Sequence, residues 1–313
     1  MKKLLAVALI IAIAALQANA QGGPRRGGKF RALQGMEARF GLGMSNVLGE
    51  LGGANRIGTN FFRDYEIVMT RPAAYLGVRY YIPESRWAGT FNILYARVSG
   101  RDNLTTEQFR SNRNLNFRSP IVELSLQVEY YFRKRQSGAR YNIREVVGAK
   151  QVNMDWYLFA GFGGFFFNPK GQYNGTWYAL QPFGTEGQGM VATRNKYRRF
   201  AACIPYGVGG KYGIDQNISV GFEIGFRYAF TDYLDDVSTT YVENNLLVIN
   251  EGLLAAELAD PSLGLVPGQT AAGEQRGDPR DKDAYMFFMF NVNYKIAGQG
   301  GRLPKFFSWA SRF

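Results

Sequence analysis

Histidine is absent from the 313-residue chain, and cysteine occurs once, as Cys203. Without histidine there is no Ser-His-Asp or Cys-His nucleophile and no histidine-ligated zinc, so an enzyme is the least expected class and no cofactor is indicated. A lone cysteine excludes an internal disulfide framework. Long apolar runs are scarce as well: beyond Leu16 nothing approaches the roughly 20 residues of a membrane-spanning helix. Acids are outnumbered, 25 Asp and Glu against 37 Lys and Arg, for a net charge of +12. That excess suits anionic lipid or an acidic protein. No nucleic-acid motif accompanies it, so no nucleic-acid partner is expected.

Glycine and aromatics are plentiful instead, at 38 residues and 15%. The clearest pattern runs from Ile218 to Thr231. Ile218, Val220, Phe222, Ile224, Phe226, Tyr228 and Phe230 alternate with Ser219, Gly221, Glu223, Gly225, Arg227, Ala229 and Thr231. A period of two over this length is a strand long enough to cross a bilayer, apolar toward lipid and polar toward a lumen. The mean hydropathy of −0.22 is compatible with that, because alternation cancels in an average. At the N-terminus, Lys2 and Lys3, an apolar run from Leu4 to Leu16 and Ala18-Asn19-Ala20 have the form of a secretory signal cleaved after Ala20.

Seven further strands are expected, at about 36–45, 71–82, 87–98, 120–132, 156–167, 203–212 and 284–296. The faces of 156–167 cannot be assigned, because both are apolar. Connections after odd strands are long and those after even strands shorter, with 133–153 intermediate. This rhythm predicts an all-β, eight-stranded antiparallel transmembrane barrel of the outer membrane, with long extracellular loops, short periplasmic turns and both termini in the periplasm. The chain divides into a signal peptide (1–20), a periplasmic lead-in (21–35), the barrel (36–296) and a basic, aromatic periplasmic tail (297–313).

An eight-stranded barrel has an interior just wide enough for side chains to fill. The expected lumen set is Glu37, Arg39, Arg79, Glu123, Glu129, Lys211, Glu223, Arg227 and Lys295. Confined opposite charges must pair, since an isolated buried ion is costly to desolvate. A salt-bridged plug without an open pore follows, serving either to hold the barrel together or as an ion path.

Four stretches carry a family resemblance: RPAAYLGVRYY (71–81), FRSPIVELSLQVEYYF (117–132), YNGTWYALQPFGTEGQG (173–189) and FTDYLDDVSTTYV (230–242). The chain resembles, in order and over nearly its whole mature length, the PorG-type outer-membrane barrels of Bacteroidetes, subunits of the type IX secretion (gliding-associated) machinery. The resemblance implies a non-enzymatic subunit that contacts outer-membrane lipid, a periplasmic ring lipoprotein and that lipoprotein's partner protein. The chain departs from the family in its tail, 297–313, and in an apolar insert, LLVINEGLLAAELADPSLGLV, within 243–283. A generic small barrel acting as a diffusion channel or structural protein is the alternative.

The extracellular motif Asp232, Tyr233, Asp235, Asp236, Thr239, Thr240 and Tyr241 has three readings: a loop locked by its own hydrogen bonds, a partner site, or an oxygen-ligand metal site. On the periplasmic side, Arg133, Lys134 and Arg135 with Arg302, Lys305, Phe306, Phe307 and Trp309 are docking candidates. The tail aromatics could equally lie at the headgroups.

Overall fold

The computed structural model describes residues 35–49, 51, 67–105, 107–132, 154–214, 217–280 and 282–296. The expected signal, most of the lead-in, the connector 133–153 and the tail 297–313 lie outside them. Ten strands are formed: β1 (Met36–Leu48), β2 (Arg71–Tyr81), β3 (Trp87–Arg101), β4 (Asn116–Tyr131), β5 (Met154–Phe167), β6 (Lys170–Tyr173), β7 (Thr176–Ala179), β8 (Phe200–Gly213), β9 (Ile218–Ala229) and β10 (Ala284–Lys295). Eight of them, β1–β5 and β8–β10, pair antiparallel with their neighbours. The β1–β10 register, with Phe40 opposite Val292 and Leu42 opposite Phe290, closes the barrel. Closure leaves no unpaired barrel edge, which a sheet in hydrocarbon requires.

The pleat sends alternate residues in and out, and the exterior is apolar. Leu126 is 66% exposed and Phe162 62%, within a continuous belt that includes Leu76, Ile93, Leu124 and Val292. In water this would be an extensive sticky surface; in hydrocarbon it is the solvated face. Two aromatic girdles bound it. Tyr80, Trp87, Phe132, Trp156 and Tyr212 project at the end where the short turn 82–86 joins β2 to β3 and where β8 leads to β9. Tyr95, Phe166, Phe200, Tyr228 and Phe230 project at the other. Amphipathic rings at both limits of an apolar band are the signature of a barrel spanning a bilayer.

The interior has two tiers. Toward the turn end it is charged. Toward the loop end inward residues become apolar: Leu94, Val98, Phe117, Ile121, Phe165, Phe167, Tyr285 and Phe287 form one buried cluster with Leu51, Leu234 and Val237 from the loops. This settles the face of β5: Tyr157, Phe159, Phe165 and Phe167 point inward, Trp156, Leu158, Phe162 and Phe166 outward. Strands β1, β3 and β4 run several residues past their expected limits at this end, because their inward side chains have an apolar core to join.

The described parts of the long connections fold into a cap. Span 168–199, expected as loop, contains the β6–β7 hairpin, turned by Asn174 and Gly175 with φ of 47° and 79°. Asn-Gly is the pair that a two-residue hairpin turn with positive φ favours. A short helix α1 (Gln108–Arg113) is capped by Glu107, whose carboxylate accepts from the N–H groups of Phe109 and Arg110. The apolar insert forms α2 (Asn244–Glu251) and α3 (Leu253–Ala259). Leu247, Ala255, Ala256 and Ala259 pack there against Phe183, Met190 and Val242.

Candidate functional site

Six of the charged lumen residues meet in one buried network at the turn end. Arg79 lies between Glu129, whose Oε2 is 2.7 Å from its Nε, and Glu37 at 3.2 Å. Arg39 bridges Glu129, at 3.3 Å, and Glu223. Lys211 donates to both oxygens of Glu37, at 2.6 and 2.8 Å. Nearer the cap Glu123 and Arg227 form a separate pair, with Nε 3.1 Å from both carboxylate oxygens. Tyr285 donates to Glu123 at 3.2 Å, and the Arg227 guanidinium lies over the Phe287 ring. Four carboxylates and four cations therefore cancel inside the barrel, all of them buried. Lys295 is half-buried at the turn end, opposite Glu37 in register.

Neutral donors complete the lattice. Tyr131 donates to Glu129 at 2.8 Å, Tyr81 to Glu37 at 3.1 Å, and Tyr75 and Tyr157 to Glu223. Two of these rings lie flat against the sheet over glycine. A Cβ on Gly41 would come within 2.3 Å of the Tyr75 ring, and one on Gly209 within 2.3 Å of the Tyr157 ring. Glycine at those positions is what brings both hydroxyls to the carboxylate. A satisfied network of this kind is rigid, and each member would be costly to strand. A void of about 20 Å³ between the two charge clusters, lined by Asn92, Gln127, Glu223 and Arg227 among others, has room for a single water.

The 232–241 motif forms a second lattice, joined to the Thr185–Gly189 loop. Glu186 accepts from the N–H groups of Ser238 and Thr239, at 2.9 and 3.1 Å, and from the Thr239 hydroxyl at 2.7 Å. It also accepts from the buried Arg276 at 3.0 Å. Asp236 holds φ of 70° and accepts from Thr185 and Tyr197, each at 2.5 Å. Asp235 accepts from the Val237 N–H at 3.0 Å, and Asp232 from Ser238 at 2.5 Å. Arg194 donates to the Thr240 carbonyl and hydroxyl, Tyr233 stacks on Tyr197 at 4.5 Å, and Tyr241 is buried. Beneath them Arg113 holds Asp102 through two bonds of 2.7 and 3.1 Å and donates to the Arg276 carbonyl at 2.8 Å.

Burial pushes the Asp236 carboxyl up to about 6, against the opposing pull of Arg276, Thr185 and Tyr197. Burial and the neighbouring Asp236 likewise raise Tyr197 well above its usual value. The three aspartates thus engage separate protein groups. Among the described residues no cluster of three or more His, Cys, Asp or Glu side chains is placed to hold a metal ion.

Glu186, Arg276, Asp102 and Arg113 had no periodicity to single them out, since loops have none. The lumen tyrosines did carry a signal, being polar-tipped rings at inward positions. The docking candidates Arg133, Lys134, Arg135, Arg302, Lys305, Phe306, Phe307 and Trp309 lie outside the described residues.

Fold and site together define an eight-stranded transmembrane β-barrel of outer-membrane type, with a charge-neutral filled lumen and an interlocked cap. No protein-family model matches the chain, and no curated protein matches it. Among solved structures it is similar to Neisserial surface protein A, with a TM-score of 0.35 and 9% identity over 83% of this chain and 97% of that one. Ail, the attachment invasion locus protein of Yersinia pestis, gives 0.35 and 9% over 83% and 96%. A major outer membrane protein from Thermus thermophilus gives 0.34 and 12% over 82% and 99%. At scores this low, the barrel's own closure, girdles and lumen define the class.

Proposed function

We propose that the chain is an integral outer-membrane protein that conducts nothing and catalyses nothing. In this reading it anchors a periplasmic ring, the lipoprotein and its partner protein, as a subunit of the type IX secretion (gliding) machinery. The filled lumen carries the reading: a barrel whose interior is occupied by internal ion pairs and, above them, an apolar core offers a rigid membrane anchor and no path. The secretion assignment rests on the resemblance, with one supporting observation. Its two most specific stretches, the 173–189 loop and the 230–242 loop, are the partners that interlock through Glu186 and Asp236. They form one structural unit, not two independent surface motifs.

The cap lies outside the cell in this orientation, and the turn end faces the periplasm. Docking then falls to the basic connector and tail. Crosslinking in intact outer membranes, followed by capture of the full chain, should recover periplasmic secretion components. Deleting 302–313 should weaken that recovery while heat-modifiable barrel mobility on gels persists. Substituting Asp235 and Asp236 by Asn should leave recovery unchanged. Loss of the complex with the aspartate change alone would move the docking face to the cap.

A further inference from the structure

One side of the barrel carries a strip of cations just beyond the cap-end girdle. Arg97 follows Tyr95 on the outward face of β3 and is exposed. Across the β3–β4 pair, Arg97 stands opposite Pro120 and Arg118 opposite Ser99. The two guanidiniums therefore share one face. Lys170, which opens β6, stands opposite Arg118. Arg199 lies over the outward ring of Phe166, 5.7 Å from its centroid, and donates to Asn168 at 3.3 Å. Arg118 stacks on Trp177 at 4.1 Å.

Among the described residues none of these four has a carboxylate within ion-pair distance. The cations of lumen and cap contrast with them: Arg39, Arg79, Arg113, Lys211, Arg227 and Arg276 are all paired with acids. Where this fold confines positive charge it neutralises it internally. Here like charges are gathered and held in place by rings, above an apolar wall. Tyr95, Val122 and Phe166 form the row immediately below, linked by the β3–β4 and β4–β5 registers. Arginine forks match phosphate oxygens in a bidentate manner, and a lysine beside them adds a compact charge.

We propose that Arg97, Arg118 and Lys170, flanked by Arg199, bind the phosphate of a phosphorylated lipid headgroup whose acyl chains lie along Tyr95, Val122 and Phe166. This rests on the reading of the cap end as the outer-leaflet side of an outer-membrane barrel. The site is lateral, on the barrel wall, and is independent of the periplasmic docking face.

The test uses the full chain folded into phosphatidylcholine vesicles and, separately, into detergent micelles. Native mass spectrometry of the micelles then compares bisphosphorylated lipid A with the same lipid after dephosphorylation. The wild type should hold the phosphorylated form about tenfold or more tightly, with a preference that shrinks as salt rises. Substituting Arg97, Arg118 and Lys170 together by Gln should bring that ratio near one with heat-modifiable mobility intact. The control Arg280→Gln with Lys282→Gln, exposed cap-end cations ahead of β10, should leave the ratio unchanged. Equal retention of both lipids by a folded wild type overturns the site. Equal loss in the control does the same, since any surface cation would then serve. Competition by inorganic pyrophosphate at concentrations equal to the lipid's would reduce it to a free-phosphate site and overturn the lipid assignment. A chain that fails to fold in the vesicles overturns the membrane reading and the site with it.

Discussion

Glu123→Ala isolates the energetic logic of the lumen, because among the described residues Glu123 and Arg227 are each other's only ion-pair partner. Arg227 shares its Nε–H between both oxygens of Glu123 and otherwise donates to its neighbour's carbonyl at Phe226. Truncating Glu123 leaves a buried guanidinium without a counter-ion, which costs about 3–5 kcal/mol, or roughly two to three and a half decades in the folding equilibrium. Removing both charges is different. Glu123→Leu combined with Arg227→Met, two apolar side chains at these positions, should fold within about 1 kcal/mol of wild type or more stably, because both desolvation penalties vanish. By contrast, Lys211→Met should cost less than Glu123→Ala, since Glu37 keeps Arg79 at 3.2 Å and Tyr81 at 3.1 Å. Urea titrations in lipid vesicles, read as the heat-modifiable folded band, give each value and the coupling between the two sites. A Glu123→Ala barrel within about 1 kcal/mol of wild type, or a double variant as unstable as the single, would refute the claim that the pair is sequestered.

The inside–outside assignment of β9 predicts that Phe222→Arg destabilises the barrel by about 2–4 kcal/mol by placing charge in lipid. Glu223→Arg should fail by another route, adding a cation beside Arg39 and Arg79; equal tolerance of both changes would show the faces reversed. The cap should depend on pH through Asp236, buried among Arg276, Glu186, Tyr197 and Thr185. Its folded pKa, about 6, lies above its ordinary value of 3.8, so the folded cap holds the proton more tightly than the unfolded chain. Cap stability should therefore be fullest below pH 4 and fall by about 3 kcal/mol as pH rises through 6. Hydrogen exchange over 232–241, corrected for intrinsic rates, should show about 2 kcal/mol of this loss between pH 4.5 and 7.5, and Asp236→Asn should flatten it. A cap that loosens as pH falls would reverse the sign and end the assignment.

The barrel was legible because the bilayer imposes a period of two, and β9 displays it without interruption from Ile218 to Ala229. Closure and the inward charges followed from the same parity. β5 resisted for a physical reason: its lumen face carries rings at both ends, Tyr157 and Phe159 in one buried cluster and Phe165 and Phe167 in the apolar tier beneath the cap. Alternation disappears where both sides of a strand are apolar. The β6–β7 hairpin did have a local signal, Asn174-Gly175, obscured by its place within a long polar span. The cap lattice had none. Glu186 meets Thr239 and Arg276 across 53 and 90 residues of sequence, and no periodicity links such positions.

A planar-bilayer recording of the purified full chain tests the central claim most directly. A lumen filled by eight ion-paired side chains, six in one network and two in a separate pair, and by the apolar tier above should give a flat trace across the voltage range, in low and high salt alike. Steady unitary openings from the folded wild-type barrel would contradict the filled-lumen anchor and make this protein a channel.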